Sequence, residues 1–143
     1  MYYEVHDEAL LRKFWDADSA SFPKFWKDAN ETWGTSFEEF RDRQWKTYSI
    51  NDVALVYIEP VGENANLHFS LLRGKSADMN DLLELRGKLE AEYPILFGWC
   101  LSKNRGLATL LESLDFRYDG LDMRYGHSRG QVLQYKCYTY RRK

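Results

Sequence analysis

From position 95 the chain runs through Ile95, Leu96, Phe97, Trp99, Cys100 and Leu101, an apolar stretch that stops at Ser102. Asn104 follows, a side chain suited to capping a helix by accepting a hydrogen bond from a free backbone N–H. Leu107, Leu110, Leu111 and Leu114 then recur at helical spacing, and Phe116 opens a new extended run. The pattern predicts strand, short amphipathic helix and strand.

The rest of the chain divides in the same way. Residues 2–5 read as a short strand, and Ala9, Leu10, Leu11, Phe14 and Trp15 share one face of a helix beginning near Asp7. Residues 16–35 read as irregular, with Pro23 and Gly34 as breaks and Phe22, Phe25, Trp26 and Trp33 as anchors. Ser36 and Glu39 match a capping box ahead of a short helix through Phe37, Phe40 and Gln44. The period then changes. Residues 45–50, 53–61 and 67–72 are rich in β-branched, aromatic and aliphatic side chains, with Asn51-Asp52 as a tight turn and residues 62–66 as a loop. An antiparallel meander follows from this. A helix beginning near Ser76 carries Met79, Leu82, Leu83, Leu89 and Tyr93 and ends at Pro94. The last strands, 116–125 and 132–140, flank a loop at residues 126–130. The fold class is α/β (α+β): a mixed, mostly antiparallel sheet of about seven strands flanked by helices.

Composition narrows this further. The length of 143 residues suits one domain, 1–143, with one core. Aromatic residues make up 16%, including five Trp, and supply large buried areas despite 29% charged residues. No apolar run is long enough to span a membrane, and residues 1–8 lack the basic-then-apolar pattern of a secretory signal. Cys100 and Cys137 fall within strands and read as buried free thiols, which fits a cytoplasmic setting. His6, His68 and His127 have no ligand-type spacing, so no metal site is expected. Residues 1–72 hold 7 basic and 13 acidic side chains, a net −6, whereas residues 73–143 hold 13 and 9, a net +4. The basic half suits an anion such as nucleotide phosphates, and the acidic half suits amines. Scattered Arg and Lys without a recognised motif give no case for nucleic acid.

The element order, together with Arg73-Gly74-Lys75-Ser76-Ala77-Asp78 and the spacing from Asn104 to Phe116, resembles the GNAT acyltransferases over nearly the whole chain. The resemblance implies an acyl-CoA-dependent N-acyltransferase. Acetyl-CoA or another acyl-CoA would lie between splayed fourth and fifth strands, its pyrophosphate on a helix N-terminus. It assigns the cofactor to Leu71, Arg73, Gly74, Lys75, Ser76 and Asn104, and implies an amine-bearing small molecule or protein as acceptor. Glu59 and His68 are the ionisable choices for a general base in the third and fourth strands. The chain departs from the family pattern at three places. Ser76 and Asp78 stand at the small positions of the phosphate loop, Leu111 stands where the family has its proton-donating Tyr, and Asp115 replaces a Gly. Tyr118 and Tyr125 are left as replacements for the lost acid.

A narrower likeness rests on Glu92-Tyr93-Pro94, Trp99 and Ser102-Lys103-Asn104, which are similar to small GNAT-like virion-associated proteins of short-tailed bacteriophages. That likeness implies the alternative of a non-catalytic virion or host-interaction protein, located in host cytoplasm or virion, with other virion or host proteins as partners. The aromatics from Phe22 to Trp33 are its contact candidates.

Overall fold

The computed structural model describes residues 1–21, 37–72, 74–102, 104–126 and 132–143. The chain runs through β1 (Tyr2–Glu4), α1 (Glu8–Ser21), α2 (Phe37–Asp42), β2 (Lys46–Ile50), β3 (Ala54–Val61) and β4 (Asn64–Leu71). It continues through α3 (Met79–Glu92), β5 (Ile95–Leu101), α4 (Arg105–Ser113), β6 (Arg117–Gly126) and β7 (Val132–Arg141). The strands form one seven-stranded sheet in the order β1-β2-β3-β4-β5-β7-β6. All neighbours are antiparallel except β4 and β5, which α3 connects in parallel.

Strand alternation sorts the core onto two faces. One carries Val56, Ile58, Leu67, Leu96 and Tyr138 beneath Leu82, Leu85 and Leu89 of α3 and Leu111 of α4. The other carries Leu55 and Tyr57 beneath Phe14 of α1, with Phe40 of α2 and Trp45 packed alongside.

The element order agrees with the sequence pattern; several boundaries do not. Helix α1 continues to Ser21, past the expected break at residue 16. Asp7 starts it by accepting from the Ala9 N–H at 2.9 Å, and Arg12 pairs with Asp16 one turn on at 3.1 Å. The polar stretch after Trp15 has no apolar period to betray a helix, but this local pair supports one. Residues 22–35, the capping-box Ser36 and loop positions 127–130 lie outside the described residues.

Strand β4 begins at Asn64 rather than Leu67. Gly62, at φ 61°, makes a two-residue turn with Glu63, so Val61 already pairs with Asn64. The polar Asn64 and Asn66 look like loop in sequence yet occupy ladder positions. At the β2–β3 turn Asn51 and Asp52 both adopt positive φ, 51° and 58°, and Val53 N–H donates to Ile50 C=O at 3.0 Å. The dipeptide predicts a two-residue turn, whereas the ladder pairs Ile50 with Ala54 and makes Asn51, Asp52 and Val53 a three-residue loop. Helix α3 starts at Met79, not near Ser76, because Asp78 is its N-cap.

Candidate functional site

The parallel pairing of β4 with β5 is confined to Ala65–Leu96, Asn66–Phe97 and Leu67–Gly98. Beyond these rungs β4 stays on β3 as far as Leu71, and β5 stays on β7 as far as Leu101. The two strands therefore fork. Each leads directly into a helix, so the N-termini of α3 and α4 lie at the forked end of the sheet.

Both helix starts are closed by a side chain of their own. Asp78 accepts from the Asp81 N–H at 3.1 Å, and Asn104 accepts from the Leu107 N–H at 3.1 Å. In the first turn of α3, Asp81 also takes the Met1 ammonium at 2.5 Å and the Asn51 amide at 3.2 Å. Asp78 and Asp81 thus put two carboxylates at the positive end of the helix dipole. Gly74 lies at φ 76° in a turn closed by Lys75 N–H to Leu72 C=O, 3.1 Å. Leu71, Gly74, Lys75, Ser76 and Asn104 all sit exposed at this end, while Arg73 lies outside the described residues.

Helix α4 shows what the departures at Leu111 and Asp115 do. Leu111 is fully buried, and its methyl carbons lie so close over Gly98 that a Cβ there would approach to 2.7 Å. It is a packing residue with no proton to give. Phe116 N–H bonds to Leu111 C=O at 2.9 Å and Asp115 N–H to Glu112 C=O at 3.0 Å, a Schellman ending. Asp115 takes the left-handed φ of 68° that this ending requires, a conformation Asp tolerates. Its carboxylate meets Lys143 at 3.1 Å and Arg117 at 2.6 Å, and these partners hold it below the usual carboxylate range.

Glu59 and His68 come together on the face that carries α1 and α2. His68 Nε2 lies 3.0 Å from Glu59 Oε1, and Asn66 Nδ2 donates to the same oxygen at 3.1 Å. The His68 bond, aided by Asn66, holds the Glu59 carboxyl below its usual range against the opposing effect of burial. Asn66 accepts in turn from the Trp99 indole N–H at 3.3 Å. The Trp45 ring stacks on His68 at 5.2 Å and 8°, and the Arg43 guanidinium lies 5.1 Å from the Trp45 centroid. Asn66, Trp45 and Trp99 are additions to the residues that sequence reasoning picked. Register arithmetic through a Gly62-Glu63 turn would have placed Asn66 opposite Glu59.

Tyr118 lies elsewhere. It pairs with Tyr138 on the α3/α4 face, and its hydroxyl donates to Asp122 at 2.6 Å. That bond pushes its pKa up to about 12, which makes it a weak proton donor. The side chain of Tyr125 lies outside the described residues. Cys100 and Cys137 are buried free thiols, each raised in pKa by burial. Among the described residues no group of three His, Cys, Asp or Glu side chains is placed to hold a metal ion. None of the described helices is long and apolar enough to cross a membrane.

No protein family model matches the sequence, nor does any curated protein. Solved structures do match by shape. The ribosomal-protein-alanine N-acetyltransferase from Brucella melitensis superposes with TM-score 0.74 at 16% identity, covering 99% of this chain and 99% of that one. The acetyltransferase of the GNAT family from Streptococcus pneumoniae gives TM-score 0.67 at 14% identity, covering 99% and 98%. A microcin self-immunity acetyltransferase, solved in complex with acetyl-CoA and AMP, gives 0.51 at 14% identity, covering 62% and 54%. With seven strands in this order and helices on both faces, the chain has the GNAT fold.

Proposed function

We propose that this protein transfers an acyl group from an acyl-CoA thioester to an amine. The observation that carries this reading is the fork, in which β4 and β5 part after three rungs beside the starts of α3 and α4. The thioester would lie in the fork, its carbonyl polarised by a backbone N–H of β4. The Glu59–His68 pair takes a proton from the acceptor ammonium. The amine nitrogen then forms its bond to the carbonyl carbon, the C–S bond breaks, and the thiolate leaves. A thiol has an ordinary pKa of about 8.5, so the thiolate can depart and take a proton from water. No side chain at the place of Leu111 is needed for that.

The two ends of the donor are served unequally. Leu71, Arg73, Gly74, Lys75, Ser76 and Asn104 are the residues proposed to hold it. At the phosphate end, however, Asp78 and Asp81 already answer the α3 dipole, and they would repel a pyrophosphate. The cofactor loop is degenerate in this reading, and donor affinity is low. A thiol-release assay with acetyl-CoA and a panel of small amines and peptide N-termini tests the proposal. Turnover should fall about 10²- to 10⁴-fold in Glu59→Gln or His68→Ala, the usual range for losing an acid–base group. Absence of thiol release with every amine counts against it.

Asp78 and Leu111 favour a second reading, in which the fold persists without turnover as a virion-associated or host-interaction protein. Its partners would be other virion or host proteins. Recovery of the protein in assembled particles supports that reading; a monomer absent from any particle opposes it.

A further inference from the structure

Asn66 occupies the middle rung of the three that join β4 to β5, and in the other direction it stands directly opposite Glu59 on β3. Trp99 is the first β5 residue beyond the last of those rungs. Alternation puts it on the same face as Asn66, and its indole reaches back across the mouth of the fork to the Asn66 amide. The orientation of that amide is fixed by chemistry. The indole N–H can only donate, so it must meet the amide oxygen, and an ionised carboxylate can only accept, so it must meet the amide nitrogen. The same logic applies one bond further on, because an ionised Glu59 kept 3.0 Å from His68 Nε2 is met by Nε2–H, a preference that lasts only while the carboxylate is held there. A side chain with one donor and one acceptor at fixed separation is what this position needs, and asparagine is short enough to span it.

We propose that Asn66 is a positioning residue. It ties the fork, through Trp99, to the Glu59 carboxylate, and thereby keeps His68 in the Nε2–H tautomer. The proposal rests on the acyl-transfer reading for its purpose but not for its test. It adds to that reading a physical link between the strand opening that would take the donor and the pair that would take the acceptor's proton. Asn66→Ala removes both of the amide's bonds. Asn66→Asp keeps an acceptor for Trp99 while setting a carboxylate against Glu59, so the two variants separate the two ends of the link.

The experiment is ¹⁵N NMR of the His68 ring and the Trp99 indole in the full chain, under conditions where the imidazole is neutral. The wild type should show a dominant Nε2–H tautomer and a hydrogen-bonded indole. In Asn66→Ala both signatures should be lost. In Asn66→Asp the indole signal should stay, while repulsion between the two carboxylates displaces Glu59 from His68 Nε2 and the Nε2–H tautomer loses its dominance. An unchanged tautomer in both variants overturns the proposal, and if Asn66→Ala does not fold, Asn66→Asp decides alone. Where turnover is measurable, kcat in Asn66→Ala should fall roughly 10- to 100-fold with the amine KM little changed, as misplacement of a reacting group does. Lack of turnover in the wild type would overturn the acyl-transfer reading and leave the NMR result to judge Asn66.

Discussion

Replacing Gly98 by alanine tests whether Leu111 is a packing residue. Gly98 lies mid-strand in β5, between Leu67 and Tyr138, with a backbone outside the left-handed region, so the substitution carries no conformational penalty of its own. The new methyl would stand 2.7 and 2.9 Å from the two Leu111 methyl carbons. Optimal carbon contacts are about 3.5 to 4.0 Å, so one partner must yield by nearly an ångström. Leu111 has 0% exposure and is enclosed by the α3/α4 core, which leaves it little room to yield. Overpacking costs about 1–3 kcal/mol, offset by about 0.4–1 kcal/mol from a stiffer unfolded chain. The expected net is a destabilisation of roughly 0.5–2 kcal/mol, or about 2–6 °C in melting temperature for a domain of this size. Leu111→Ala alone should cost about 2–5 kcal/mol by leaving a cavity. In the double variant the alanine methyl enters the vacated space, and the combined loss should fall short of the sum by about 1 kcal/mol or more. Urea unfolding followed by tryptophan fluorescence measures all four corners. Additive losses, or a neutral Gly98→Ala, would refute the packing argument.

Asp78→Ala removes the cap of α3 and should lower stability by about 1 kcal/mol, while tightening acyl-CoA binding measured by calorimetry. Glu59 has a depressed folded pKa, so its contribution to stability is present above the unfolded value of about 4.3 and lost as pH falls through the folded one. The stability gap between wild type and Glu59→Gln in urea melts should therefore close on acidification below about pH 4. Asp115→Gly relieves a left-handed backbone at the cost only of exposed ion pairs, and a melting scan should show a more stable protein.

The order of elements was legible because each carries its own local period. Leu107, Leu110, Leu111 and Leu114 announce a helix without help from tertiary structure, and Asn51-Asp52 announces its turn. Asn104 as a cap is equally local. What escaped was set by pairing. Asn64 and Asn66 have no strand propensity, and only the ladder with Val61 and Glu59 makes them β. The second half of α1 was hidden because Asp16, Ala17 and Asp18 give no apolar stripe. Glu59 and His68 are each visible as ionisable strand residues, but their contact and its extension to Asn66 and Trp99 depend on β3, β4 and β5 lying side by side, and the stacking of Trp45 on the chain entering β2. The start of α3 is not fixed locally, because the Ser76 hydroxyl and the Asp78 carboxylate are both capping groups in sequence and only the folded contact from Asp78 to the Asp81 N–H selects between them.

In the proposed reaction the forked end of the sheet receives an acyl-CoA thioester. A thermal melt of the pure protein with and without excess acetyl-CoA addresses it most directly, with adenosine nucleotides lacking the thioester arm as controls. A ligand at about a hundred times its dissociation constant stabilises the native state by roughly 2.7 kcal/mol, which here means a rise of several degrees. Acetyl-CoA should produce such a rise, at high concentration because of Asp78, and the controls none. An unchanged midpoint at millimolar acetyl-CoA, in both the wild type and Asp78→Ala, would contradict it.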